Sequence, residues 1–345
     1  MLIKNSKFIL IIAIISLLSM DVFAGGGKRN GTGGAQELLI PVSARGLAMS
    51  GAYTSGITGI DAIFYNPAGL SISNNSAEAM FSYMNYIADI NFSFAAVAVH
   101  FSDFGSLGFA IRTLDFGDIP VTTVDNPEGT GATFSPTYVV IGATYSNSLT
   151  DRIRVGFTAN VVSEKILRSS ATGVSFDAGI QYNGIGGIEG LKFGVALKNF
   201  GAAMSYDGTD LDRRAIDEAS KRGLNFYRIN SAEFELPSQL ELGVAYERNF
   251  GNNYKGIISS SFQNNNFSND EYRVAGEFSY DDLIFLRGGY AYVSEAVDVE
   301  EEAVFGPTFG VGLKLKGNLD VKVDYAYRTA EYFDANHMVT VQFGF

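Results

Sequence analysis

The chain has 345 residues, with 37 Asp and Glu against 25 Lys and Arg, for a net charge of −12. That balance argues against nucleic-acid binding, which needs clustered cations to neutralise phosphates. Cysteine is absent, so disulfide staples and a lipid anchor on a cysteine are excluded.

The start of the chain reads as a targeting segment. Lys4 and Lys7 open it, an apolar stretch runs from Phe8 to Met20, and Val22-Phe23-Ala24 gives a small-residue exit. This is the layout of a secretory signal peptide over 1–24, cleaved near Ala24. Past it, no run reaches the roughly 20 apolar residues of a spanning helix. Yet 46% of all residues are hydrophobic, with 27 Phe, 18 Tyr and 39 Gly. Residues 25–76 form the next unit, and they do not alternate between apolar and polar. Six glycines between Gly25 and Gly34 make a flexible leader. Two motifs follow, Ala44-Arg45-Gly46 through Gly51-Ala52 and Tyr65-Asn66-Pro67-Ala68-Gly69-Leu70. The second carries the Asn-Pro signature of a turn.

From residue 77 to 345 the pattern is alternation with a period of two, the signature of strands with one apolar face. Val174, Phe176, Ala178, Ile180 and Tyr182 oppose Ser175, Asp177, Gly179, Gln181 and Asn183; Leu319 to Arg328 repeats the pattern. Fourteen strands are predicted, over 77–86, 91–101, 105–116, 134–147, 151–167, 171–183, 190–200, 237–249, 254–266, 270–280, 283–294, 304–316, 319–329 and 336–345. The second and ninth alternate poorly. Many exceed ordinary soluble strands and approach the 9–11 residues that cross a bilayer. The long connections 117–133, 201–236 and 295–303 share one parity, and the connections of the other parity are short, as at 102–104, 148–150, 251–253 and 317–318. Short inner turns and long outer loops are the pattern of a membrane barrel. Pro136, Pro237 and Pro307 sit at strand starts, where no ladder hydrogen bond is lost.

The last strand carries Val339, Val341, Phe343 and Phe345 on one face and Thr340, Gln342 and Gly344 on the other. Those four residues form a barrel-closing C-terminal signal, with Phe345 at the periplasmic rim where assembly machinery would read it. The expected fold is all-β: a transmembrane, antiparallel, up-and-down β-barrel of about 14 strands in the bacterial outer membrane. Its lumen would be plugged by the N-terminal segment.

The two motifs between residues 36 and 72 resemble the opening of the PorV/PorQ family of outer-membrane proteins, relatives of the FadL-type transporters of hydrophobic compounds. The resemblance implies that the N-terminal segment folds into the lumen as a hatch. It places Asn66, Pro67 and Ala68 in that hatch, with Gly69 and Leu70 completing the turn. It also implies a role as surface-cargo acceptor or structural component of a type IX-like secretion system. The alternative is passive, hatch-gated transport of long-chain fatty acids or aromatics. The partners follow from these readings: outer-membrane lipid, barrel-assembly machinery, secretion components or exported cargo, and hydrophobic small molecules.

Little in the chain points to catalysis. His100 and His337 lie on different predicted strands, and neither belongs to a nucleophile motif. The run Asp207-Gly208-Thr209-Asp210-Leu211-Asp212 lacks the full calcium-loop pattern. With the cluster Glu295, Asp298, Glu300, Glu301 and Glu302, it reads as solvated loop, the first cluster offset by Arg213-Arg214. No catalytic residue, metal or cofactor is expected. Charged residues on the lumen face, among them Arg112, Arg152, Arg154, Asp177, Lys192, Lys198, Glu241, Glu247, Arg273, Glu277, Lys314, Lys316, Asp320, Lys322, Asp324 and Arg328, carry both signs. Paired ladders bracing the wall are the default for such a set.

Overall fold

The computed structural model describes residues 32–102, 104–216, 223–293, 304–317 and 319–345. The expected signal peptide, most of the glycine leader and the acidic run 295–302 lie outside the described residues. Fourteen long strands form one antiparallel barrel: β1 Ala77–Asn85, β2 Asn91–Phe101, β3 Gly105–Asp115, β4 Thr137–Ser148, β5 Ile153–Ile166, β6 Ser169–Asn183 and β7 Leu191–Gly201 make the first half. The second half is β8 Gln239–Phe250, β9 Tyr254–Asn265, β10 Glu271–Tyr280, β11 Ile284–Val293, β12 Phe305–Leu315, β13 Asp320–Ala330 and β14 Asn336–Gly344. Each strand pairs with its sequence neighbours, and β14 closes on β1 with Phe81 opposite Val341 and Tyr83 opposite Val339. Closure removes the edges that an open sheet would leave unpaired, as a spanning sheet requires.

The alternation fixes which side chains face outward. Phe81, Tyr83, Val97, Phe109, Ile141, Phe157, Ile258, Val311 and Val339 are exposed, while their strand neighbours Ser82, Ala96, Thr144, Thr158, Ser259 and Thr340 are buried. Aromatic contacts cluster near strand ends, as with Tyr254, Phe278 and Tyr280, and with Phe101, Phe104 and Tyr145. The result is an apolar belt with aromatic rims, suited to lipid.

Two departures from regular pairing have local causes. The register shifts between Phe305 and Thr308 of β12, where Pro307 has no N–H to donate. It shifts again between Phe176 and Ala178 of β6, opposite Asn199 of β7, whose φ is +58°. Strand β2 alternates poorly in sequence because both its faces are apolar: Val97 and Val99 point out, and Phe92, Phe94, Ala96 and Ala98 are buried inside. Strand β9 does so because Ser259, Ser261, Gln263 and Asn265 point inward while Ser260 and Phe262 share the outer face.

Turns at 149–152, 251–253 and 281–283 are short and lie at one end, with both ends of the barrel segment. The connections 116–136 and 202–238 lie at the other and carry small two-stranded ribbons, Ile119–Pro120 with Thr133–Phe134 and Asp212–Ala215 with Asn225–Arg228. The short-turn end is the periplasmic one by the ordinary rule for such barrels. Arg152 and Lys316, expected to face the lumen, instead sit exposed in turns at that end, just beyond the regular ladder.

Candidate functional site

Inside the barrel lies the chain from Ala35 to Ser71. In this structure a buried side chain on a strand points into the lumen, so the residues that enclose this segment can be read from burial. The segment is built from short pieces: a 3-10 turn Gln36–Leu39, helix α1 Ala44–Ala48, a 3-10 turn Gly59–Asp61, helix α2 Ala62–Tyr65 and a 3-10 turn Pro67–Ser71. Ser43 starts α1 by accepting a hydrogen bond from Gly46 N at 3.3 Å. Gly46 allows α1 to meet α2, since a Cβ there would lie 2.1 Å from the Tyr65 ring.

The Asn-Pro-Ala-Gly-Leu run joins this segment to the wall. Asn66 Oδ1 accepts from Ala68 N at 3.1 Å and caps the Pro67–Ser71 turn, with Pro67 at the first position, where a missing N–H costs nothing. Its Nδ2 donates to Thr54 O at 2.9 Å and to wall carbonyls Ile180 O at 3.2 Å and Val195 O at 3.4 Å. The Ala68 carbonyl accepts from Ser146 Oγ of β4 at 3.0 Å. This close approach depends on wall glycines. A Cβ on Gly179 would sit 2.0 Å from Asn66 Oδ1, and one on Gly156 would sit 2.2 Å from the Pro67 carbonyl carbon. Gly69 meets Ile57 O in the same way, and Leu70 is fully buried.

Toward the periplasmic end the contacts are ionic. Arg45 reaches Glu277 of β10 through Nε and Nη2, both at 2.9 Å. Burial works against the Arg45 charge, but the adjoining Glu277 carboxylate overrides it and holds the guanidinium above its ordinary pKa. Glu277 is shared with Arg287 of β11, whose other arm reaches Asp324 at 2.6 Å, and Lys322 closes the set at 3.0 Å. Nearer the extracellular end, a second group joins Lys198 to Glu241 at 2.9 Å, with Thr54 donating to the same carboxylate. Lys192 and Lys255 share Glu247. Mixed-sign bracing of the wall is thus present among the described residues. Two of its central members escaped the sequence reading. Arg287 was hidden because Gly288 and Gly289 blur the alternation of β11, and Arg45 because it lies outside any strand. Between the segment and the periplasmic mouth lies a polar cavity of about 450 Å³ whose lining includes Asp61, Glu78, Lys255, Lys314 and Lys322.

The extracellular half of the lumen adds an apolar patch on the side formed by β14 and β1 to β6. Met84, Phe92, Phe94, Leu114 and Met338 are buried on the wall and cluster with Ile40, Val42 and Phe64 of the inner segment. Val140, Val162, Ala171 and Met204 continue the apolar lining around Leu38. Tyr86, Ile90, Phe116 and Tyr138 pack against it at the rim. Period-two reading missed this zone because Met84, Phe92 and Phe94 occupy positions that it assigns to polar lumen residues.

The four residues of the C-terminal face lie on the outer side of β14. Val339 and Phe345 are well exposed, Phe345 at 61%, and Val341 and Phe343 are half-buried by neighbouring side chains. Phe345 N donates to Ala77 O and its carbonyl accepts from Ser76 N, so the last residue is tied to the first strand at the periplasmic rim.

The histidines and the first acidic run have structural partners. His100 Nδ1 lies 2.8 Å from Ser106 Oγ and its Nε2 lies 3.4 Å from Glu78. This brings a serine, a histidine and a carboxylate together, which sequence spacing did not show. Ser106 is only 2% exposed, and the set braces the inner face of β1–β3. His337 pairs with Tyr325 Oη on the outer face. Asp210 and Asp212 are neutralised by Arg168 and Arg228, whereas the expected partner Arg213 donates to the backbone carbonyls of Asp210 and Asp212.

No family model matches the chain, and no curated protein matches it in sequence. Its fold does have solved relatives. It resembles the Pseudomonas putida toluene transporter TodX with a TM-score of 0.56 at 13% identity, over 87% of this chain and 96% of that one. It resembles the Ralstonia pickettii toluene transporter TbuX with a TM-score of 0.54 at 12% identity, over 88% and 98%. A Pseudomonas aeruginosa FadL homologue matches with a TM-score of 0.50 at 13% identity, over 88% and 97%. The fold is that of the FadL-type channels. These neighbours are transport proteins, and identities this low carry the architecture alone.

Proposed function

We propose that the protein is a passive outer-membrane channel for small hydrophobic compounds, with residues 36–72 as its hatch. The observation that carries this reading is the apolar patch that β14 and β1 to β6 present to the extracellular half of the lumen. A water-filled pore would line that region with polar residues. Met84, Phe92, Phe94, Leu114 and Met338 instead offer an environment into which a fatty acid or a monoaromatic compound partitions from water, at about 25 cal/mol per Å² of apolar surface buried. Beneath it, Arg45, Glu277, Arg287 and Asp324 hold the hatch in place and shut off an ionic path. Passage then requires the hatch to shift. Asn66, Pro67, Ala68, Gly69 and Leu70 are its anchoring turn. The chemistry is binding and release, and no bond is made or broken. The FadL-type fold supports the reading at the level of architecture.

The test is uptake of a labelled long-chain fatty acid and of toluene by proteoliposomes and by cells, with and without the protein. Equal uptake in both would sink the proposal. A second reading, as a surface-cargo acceptor of PorV/PorQ type using the loops 117–133 and 201–236, is supported by the motifs at Ala44–Ala52 and Tyr65–Leu70 alone. It predicts altered surface display of exported proteins in a deletion strain and co-purification with secretion components.

A further inference from the structure

Near the extracellular end of the lumen, Glu37 of the inner segment meets Glu164 of β5. Both are 3% exposed. Their carboxyl groups lie close enough to interact directly, and neither oxygen of Glu37 has a side-chain donor. Glu164 is satisfied on one side by the Tyr206 hydroxyl. A buried carboxylate facing another with no donor between them is costly, because both charges have left water and they repel.

Among the described residues, the surroundings do not supply enough positive charge. Arg112 of β3 is the cation nearest the pair; its Nη1 donates to Leu38 O at 3.3 Å, and it also faces Asp177 of β6. Tyr138, opposite Glu164 on β4, and Tyr206 in the 202–238 connection are the other titratable groups at the pair. On the remaining side, Gln36 and Leu39 lie against Pro237, Ser238, Gln239 and the stretch from Asn265 to Ser268, none of them charged. Among the described residues, one cation therefore stands among three carboxylates. A single hydrogen between Glu37 and Glu164 would supply the missing donor and remove one of the two repelling charges.

We propose that Glu37 keeps its proton and donates it to Glu164, and that this hydrogen bond latches the extracellular end of the hatch to the barrel wall. Burial, reinforced by the Glu164 charge, pushes the Glu37 carboxyl up to about 7 from its ordinary 4.5. The sign follows. A carboxyl raised in the seated state favours that state below its raised pKa and ceases to do so as pH climbs through about 7. The channel would seal its outer mouth in acidic surroundings and loosen it in alkaline ones. This inference rests on the inner segment being a moving hatch.

The test is hydrogen exchange of the backbone amides of 36–40 in the full-length protein in phosphatidylcholine nanodiscs with EDTA, corrected for intrinsic exchange. It needs no transport measurement, so it stands or fails separately from the channel proposal. Protection in the wild type should fall about tenfold between pH 6 and pH 8. Glu37→Gln and Glu164→Gln each place an amide donor where the proton sat, so protection should stay flat with pH in both; two variants guard against one that misfolds. Unchanged wild-type protection over that range, or the same slope in the wild type and both variants, would overturn the latch. Recovery of protection at pH 8 on adding calcium chloride would overturn it too, assigning the pair to a metal cation.

Discussion

Replacing Arg45 with methionine tests the link between the proposed hatch and the wall most directly. Methionine keeps much of the side-chain volume of arginine and removes both charged hydrogen bonds to Glu277, each 2.9 Å long and largely shielded from water. A hydrogen bond to a charged group contributes about 1.5–3 kcal/mol, and truncating one side of a fully buried ion pair costs about 3–5 kcal/mol. The loss here falls below that range, because Glu277 keeps Arg287. We expect the seated hatch to be destabilised by about 2–3 kcal/mol, which shifts its equilibrium with an unseated form by roughly 30- to 150-fold. Amide exchange of Leu47 and Met49, which close the turns of α1 onto Ser43 O and Arg45 O, should speed up by that factor. Exchange in β5 and β6, remote from the change, should not move. Pairing Arg45→Met with Glu277→Gln should recover part of the loss, since the buried charge left behind is then removed. Unaltered exchange in α1, or an equal rise throughout the barrel, would refute the idea that this ion pair fastens a separable hatch.

Three further outcomes follow from the same geometry. Gly179→Val places a side chain where Asn66 Oδ1 now lies 2.0 Å from a Cβ, and should lower stability by about 1–3 kcal/mol, read as a shift in the urea unfolding midpoint; no shift would mean the anchoring turn is loosely held. Phe92→Asp puts a charge into the apolar zone and should abolish uptake of toluene or a fatty acid while the folded barrel still migrates as a heat-modifiable band; retained uptake would remove Phe92 from the route. Deleting Phe345 removes the three backbone hydrogen bonds that tie the chain end to Ser76 and Ala77, and should reduce the fraction of barrel inserted in the outer membrane, measured by the same gel shift in membrane fractions.

Strand identity was legible because a strand has only one periodicity, and a wall between lipid and lumen forces it to show. Val174 to Asn183 and Leu319 to Arg328 alternate for that reason and became β6 and β13 within a few residues. Where the lumen itself is apolar the contrast disappears, which is why β2 read poorly and why the zone around Met84, Phe92 and Phe94 went unseen. The charged network was half legible. Lys198 and Glu241, or Lys322 and Asp324, stand out by their face, but Arg287 is masked by Gly288 and Gly289, and Arg45 has no period to belong to.

The sequence by itself therefore determined the β class, the strand count, the outward face of Val339, Val341, Phe343 and Phe345, and the turn at Asn66-Pro67. Each depends on contacts within a strand or across a few residues. Only the tertiary structure decided what the turn holds and what the lumen offers. Asn66 meets Ile180 and Val195, and Glu37 meets Glu164, across more than a hundred residues of chain. Such meetings are set by closure of the barrel around the inner segment, and no local pattern encodes them.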